Sequence, residues 1–191
     1  MASSGVRSSL LRWRRPAVLI ALAVGLVVVS VVAAGYRPGA PPVVRSAGGR
    51  TAPAFAVSDL RDESRTISLE QLSGHPIVLN FWASWCVPCR KELSAFEAVH
   101  RRAGSRVTLL GMNNQDTRRD ALGLLRQAKV SYPSGFDPSG RVGEAYLLRG
   151  MPTTVFISTE GTILATRTGQ MSESELADAI LDLFAVPLPG S

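Results

Sequence analysis

The chain has 191 residues, 46% of them hydrophobic, with 21 Lys and Arg against 15 Asp and Glu and a formal charge of +6. That length accommodates one domain with a full core plus appendages. The charge misleads about partners: Arg7, Arg12, Arg14 and Arg15 precede every acid, and from Tyr36 onward 17 basic residues face 15 acidic ones. A near-neutral body without a basic patch interleaved with aromatics excludes nucleic-acid binding.

Residues 1–16 form a basic N-terminus. Ala17 to Gly35 is a run of 19 residues without a charge, about 28 Å long as a helix and able to span a bilayer core. The four arginines ahead of it place the N-terminus in the cytoplasm and everything after residue 35 outside. Arg37, Arg45 and Arg50 weaken that asymmetry without reversing it. A cleaved signal peptide is the alternative, since Val32-Ala33-Ala34 loosely resembles a small-residue cleavage site, but the apolar stretch exceeds the usual ~7–15 residues. Both readings export the domain, the first as a single-pass protein of the cell membrane with its domain on the outer or periplasmic face. There a disulfide can persist. Residues 36–50 are rich in Pro and Gly without periodicity and predict a flexible linker; the folded domain is expected over 51–186.

Phe55-Ala56-Val57 and Arg65-Thr66-Ile67 flank a polar stretch and predict a short hairpin ahead of the main fold. Glu70-Gln71-Leu72 reads as a single helical turn. The apolar run Pro76-Ile77-Val78-Leu79-Asn80-Phe81-Trp82 has the length and β-branched character of a buried strand. A helix follows over about 87–103, with Leu93, Phe96 and Val99 at intervals of three, and 106–112 is a second buried strand. Thr117-Arg118-Arg119-Asp120 is a capping box opening a helix expected to bury Leu122, Leu125 and Ala128. A short strand over 132–137, a turn at Asp137-Pro138-Ser139-Gly140 and a short helix over 141–148 lead to Gly150-Met151-Pro152. Strands at 153–158 and 162–168 form a hairpin. Ser172-x-x-Glu175 caps a last helix with Leu176, Ile180, Leu183 and Phe184 as its apolar stripe. Strands alternating with helices predict an α/β fold with a parallel core sheet, to which the last hairpin adds an antiparallel edge.

The two cysteines, Cys86 and Cys89, lie where the first core strand hands over to its helix. The thiolate is the nucleophile in disulfide exchange, so a useful cysteine needs a low pKa and access. Cys86, just ahead of the helix, meets the positive end of the macrodipole and the free N–H groups of the first turn. Cys89 is nearly one turn on, within reach of Cys86 and less exposed. Pro88 suits the first turn, where its missing N–H costs nothing, and Arg90 and Lys91 add positive potential. A zinc site would need His75 and His100 to converge on the cysteines, one from before the strand and one from late in the helix. A purely structural disulfide would close too small a loop to stabilise much. A copper carrier would want a histidine downstream, and none follows His100; a peroxidase would show Pro-x-x-x-Thr-x-x-Cys, which is absent. No metal or cofactor is expected.

From about Thr51 to Phe184 the chain resembles the thioredoxin superfamily, and most nearly its membrane-anchored extracytoplasmic branch, the TlpA/ResA-like thiol–disulfide oxidoreductases. The resemblance rests on Ala52-Pro53-Ala54-Phe55, on Asn80-Phe81-Trp82-Ala83-Ser84-Trp85-Cys86-Val87-Pro88-Cys89-Arg90-Lys91-Glu92, and on Gly150-Met151-Pro152-Thr153-Thr154. It implies a thioredoxin-like mixed sheet flanked by helices, with an N-terminal β-hairpin extension and an N-terminal transmembrane helix. It implies that Cys86 and Cys89 are catalytic and that Pro152 is a cis proline facing them. Trp85, Pro88, Met151 and Pro152 would then bind substrate, the Met151 backbone pairing with a client segment as an added strand.

The chain departs from thioredoxin itself at Asn80, where a buried Asp is expected. Glu92 matches the glutamate that, in the ResA-like proteins, takes up and returns the proton of the second cysteine. A partly buried carboxylate there would have a raised pKa, whereas a plain first-turn glutamate would face solvent. The implied activity is reduction of protein disulfides. The implied clients are apocytochrome c or copper-site cysteines of oxidase subunits, and a membrane-embedded thiol shuttle is the implied reductant. The same residues run as a thiol oxidant or isomerase, and a non-enzymatic metal carrier or scaffold, stay open on sequence alone.

Overall fold

The run Ile77–Trp82 is buried at all six positions and forms β4, the strand on which the rest is laid. The computed structural model describes residues 44–189, without the side chains of 45–48. The expected basic N-terminus at 1–16, the transmembrane span at 17–35 and linker residues 36–43 lie outside the described residues. Among the described residues no helix is long and apolar enough to cross a membrane.

The elements are β1 (Val44–Thr51), β2 (Ala56–Asp59), β3 (Thr66–Ser68), a 3-10 turn (Glu70–Leu72), β4 (Ile77–Trp82), α1 (Val87–Ala103), a 3-10 turn (Gly104–Arg106), β5 (Thr108–Asn114), α2 (Arg118–Gln127), β6 (Ser134–Asp137), α3 (Arg141–Ala145), β7 (Thr153–Ile157), β8 (Thr162–Thr168) and α4 (Glu173–Phe184). Eight strands join in one sheet in the order β1-β8-β7-β4-β5-β6-β2-β3. β4, β5 and β6 run parallel, and the other neighbours are antiparallel. Alternation along β4 divides its side chains between two cores. Val78 and Trp82 pack with Leu93, Phe96 and Val99 of α1, Leu124 and Leu125 of α2, and Leu176 and Ile180 of α4. Ile77, Leu79 and Phe81 pack with Ala52, Phe55, Val142 and Tyr146 on the other face. This is a thioredoxin-like α/β mixed sheet with helices on both faces.

Three expectations need correction. The linker expected over 36–50 ends earlier: Val44–Thr51 is the edge strand β1, paired antiparallel with β8 through Val44↔Thr166 and Thr51↔Thr162. Its register shifts between Arg45 and Arg50, and Gly49 sits there at φ +56°; a bulged, glycine-bearing edge strand loses the period-2 signal that marks a strand. Residues 44–51 therefore belong to the sheet of the domain rather than to a linker. The first hairpin, β2–β3, forms as expected and extends the main sheet, with Ser58 paired to Phe136 of β6. The second hairpin is not an added edge: β7 lies beside β4 in the middle of the sheet, with Leu79 opposite Val155. Finally, α2 buries Ala121, Leu124 and Leu125, so its apolar stripe is rotated from Leu122, Leu125 and Ala128; Ala128 is already the C-cap.

The helix starts are set by their caps. Thr117 accepts the Asp120 N–H at 3.2 Å. At α4, Ser172 accepts the Glu175 N–H at 3.3 Å while Glu175 accepts the Ser172 N–H at 2.8 Å, a reciprocal capping box.

One feature of the sheet positions the site. Successive register partners place Arg167 (β8), Thr154 (β7), Asn80 (β4), Gly111 (β5) and Ser134 (β6) in a single row across five strands. The row shares the face of Val78 and Trp82, beneath α1, and its polar members are buried. Gly111 is a matter of space: a Cβ there would stand 2.5 Å from Ser134 Oγ and 2.7 Å from Trp82 Nε1.

Candidate active site

β4 ends at Trp82, and the next four residues turn the chain into α1. Cys86 is the N-cap of that helix, and its Sγ accepts the Cys89 N–H at 3.3 Å. The two cysteines are joined in a disulfide, with Cα atoms 5.3 Å apart. Cys86 is 5% exposed and Cys89 not at all, so Cys86 is the more accessible of the two. Pro88 occupies the first turn. Trp85 and Val87, each 60% exposed, form an apolar rim around the sulfurs.

The loop before Cys86 is held from β5. The carboxylate of Asp116 accepts the Ser84 N–H at 2.6 Å and the Ser84 hydroxyl at 2.8 Å. It also accepts Asn113 Nδ2 at 2.9 Å and the Thr117 N–H at 2.8 Å. Next to it, the Trp85 indole N–H donates to the Gln115 carbonyl at 3.0 Å. Each such bond to an ionised acceptor contributes about 1.5–3 kcal/mol. Asp116 thereby fixes where the first turn of α1, and with it Cys86, begins.

Glu92 lies on α1 one turn beyond Cys89 and is fully buried. Its Oε1 accepts Asn80 Nδ2 at 2.9 Å and its Oε2 accepts the Met171 N–H at 3.1 Å. The second Nδ2 proton of Asn80 goes to Thr154 Oγ1 at 3.3 Å. Desolvation pushes the Glu92 pKa up to about 7, with the hydrogen bonds from Asn80 and Met171 and the positive charge of Arg167 pulling the other way. Arg167 is itself buried and is compensated by Glu175 at 2.9 Å. A carboxyl group so placed changes charge near neutral pH, one helical turn from a cysteine. The solvent-facing alternative for Glu92 does not occur.

The Met151–Pro152 peptide bond is cis. Phe81 pairs with Thr153, so Pro152 stands at the same end of the sheet as the loop carrying Cys86. Pro152 is buried and Met151 half-buried. Cys86, Cys89, Glu92 and Pro152 thus gather under and beside the first turns of α1, and Trp85 and Pro88 stand at the rim.

Asp116, Arg167 and the Met171 N–H are the site groups that sequence reading missed. Asp116 alone had a legible signal, because it follows the C-terminal end of a parallel strand, where functional loops of α/β sheets gather.

The comparisons with known proteins agree with this geometry. The AhpC/TSA family model matches residues 49–166. The thiol:disulfide interchange protein DsbE of Allochromatium vinosum is 34% identical over 137 residues, covering 71% of this chain and 75% of that protein. The thiol-disulfide oxidoreductase ResA of Bacillus subtilis is 30% identical over 131 residues, 68% of this chain and 72% of its own. A structure from Chlorobium tepidum, assigned as a thiol:disulfide interchange protein DsbE, superposes with a TM-score of 0.65 at 27% identity, covering 71% of this chain and 96% of that one. With a disulfide-forming Cys-x-x-Cys pair at a helix N-terminus in that fold, the chain belongs to the AhpC/TSA family and, within it, to the thiol–disulfide oxidoreductases of the DsbE and ResA type.

Proposed function

We propose that this oxidoreductase works outside the cytoplasm, tethered by its apolar segment at 17–35, as a reductase of client-protein disulfides. Its functional unit is Cys86-x-x-Cys89-x-x-Glu92 facing Pro152. The observation that carries this reading is the buried Glu92 carboxyl, held by Asn80 and Met171 and poised near pH 7.

In the reduced protein the Cys86 thiolate attacks one sulfur of a client disulfide. The client S–S bond breaks, its other sulfur leaves as a thiol after taking a proton, and a mixed disulfide forms. Ionised Glu92 then takes the proton of Cys89, and the Cys89 thiolate attacks Cys86 Sγ. The second client sulfur leaves and takes up the proton. The client has gained two electrons and two protons, and the protein is left with the Cys86–Cys89 disulfide seen here.

Trp85, Pro88, Met151 and Pro152 contact the client, whose extended segment pairs with the Met151 backbone. A membrane-embedded thiol shuttle, fed by cytoplasmic thioredoxin, restores the dithiol. The resemblance to the ResA-like proteins favours apocytochrome c or copper-site cysteines of oxidase subunits as clients, which would place the protein in cytochrome c biogenesis or oxidase assembly.

Trapping tests this directly. Cys89→Ala removes the resolving thiol, so clients are expected to accumulate as mixed disulfides on Cys86, released by dithiothreitol and absent when Cys86 is also replaced. If no cysteine-linked client accumulates, the reductase reading fails.

A further inference from the structure

Beside the redox pair, on the flank away from Pro152, α1 and α2 enclose a groove of about 410 Å³. Ser84, two residues before Cys86, lines its near end, and Arg90, in the second turn of α1, forms one wall. The other wall is one face of α2, where Arg119, Gly123 and Arg126 recur at helical spacing, opposite the buried face of Ala121, Leu124 and Leu125. A Cβ at Gly123 would meet nothing within 4 Å, so the groove is open above that position.

The three arginines are exposed, and none takes part in the ion pairs found among the described residues. The acid that also lines the groove, Asp120, is engaged at the α2 cap, where it accepts the Thr117 hydroxyl at 2.8 Å. Three unpaired guanidinium groups against one occupied carboxylate leave the groove positive in an otherwise near-neutral domain. Arginine matches carboxylates in a fork geometry that lysine lacks.

We infer that this groove is a specificity surface for the client polypeptide: it receives acidic side chains lying within a few residues of the cysteine that Cys86 attacks. The inference rests on the reductase reading, since only a client held in mixed disulfide with Cys86 passes its flanking residues over Ser84 and Arg90. The surface acts on encounter and orientation rather than on the sulfur chemistry, because charge complementarity at an exposed rim mainly steers association and rejects like-charged partners.

The test uses the full-length chain in detergent, as the dithiol, with two disulfide-bonded peptides of equal length. One carries Asp and Glu around its cysteine and the other Lys, and hydroxyethyl disulfide serves as a neutral small substrate. The acidic peptide is expected to have a kcat/KM about five- to tenfold higher at low salt, a preference that shrinks as salt is raised. The double variant Arg119→Glu, Arg126→Glu is expected to abolish or reverse the preference while reducing hydroxyethyl disulfide at the unchanged rate. Equal kcat/KM for the two peptides, or a preference that survives the double charge reversal, overturns the groove alone. Failure to reduce any of the three substrates overturns the reductase reading and the groove with it.

Discussion

Cys86→Ser is expected to lower disulfide reduction on the order of a thousandfold or more, to the rate of uncatalysed exchange. The serine hydroxyl does not ionise near neutral pH and cannot form the mixed disulfide, and Cys89 is too deeply buried to take over the attack. The substitution separates chemistry from folding unusually well. Cys86 Sγ serves as the N-cap acceptor for the Cys89 N–H, and serine is among the preferred N-cap residues. Measured against the reduced wild-type protein, the variant should therefore keep its melting temperature within a few degrees while its single-turnover reduction of a disulfide-bonded peptide disappears. A residual rate within about tenfold of wild type would mean that a group other than Cys86 makes the attack, against the assignment of the nucleophile.

Glu92→Gln should have the second largest effect, and a pH signature with it. In the wild type the step that releases the client is expected to accelerate as pH rises through about 7, the folded-state pKa of Glu92, because in the proposed mechanism ionised Glu92 takes the Cys89 proton. In the variant that inflection should vanish and the step should slow by about 10²-fold, the lower end of general acid–base contributions.

Stability moves as well. The folded-state pKa of Glu92, about 7, lies above its ordinary value of 4.5. Its contribution to stability is therefore fully present below 4.5 and is lost as pH rises through 7, when a buried carboxylate must be ionised in the folded state. The full loss amounts to about 3 kcal/mol. Glutamine stays neutral, so urea unfolding of the disulfide forms should show similar stability near about pH 4 and a variant more stable by about 3 kcal/mol near about pH 9. A stability difference that does not change with pH would mean that Glu92 is not the buried titrating group.

The chemistry of this site was legible in sequence where it is local. The apolar run of β4, the proline after Cys86 and the spacing of Leu93, Phe96 and Val99 are consequences of a strand feeding a helix, and they put Cys86 just ahead of α1 and Cys89 and Glu92 within it, where the structure has them. Gly150-Met151-Pro152 carries no such local signal; the family resemblance alone implies the cis bond that the structure has at Met151–Pro152. What escaped depends on pairing across the sheet. Asn80, Thr154 and Arg167 come from three strands that register alone makes neighbours, so nothing in the order of residues marks Arg167 as a charge acting on Glu92. The need for glycine at 111 in β5 is likewise set by neighbours on other strands, since a Cβ there would collide with Trp82 and Ser134. β1 reads as linker because its partner β8 lies more than a hundred residues away and its glycines hide the alternation.

The reduction potential of the Cys86–Cys89 pair, set by equilibrating the full chain with glutathione and dithiothreitol buffers, tests most directly that the protein is a reductase. A value at or below about −200 mV, toward the roughly −270 mV of thioredoxin, is expected. A value near about −120 mV, where strong thiol oxidants lie, would contradict it and assign the same residues to disulfide formation.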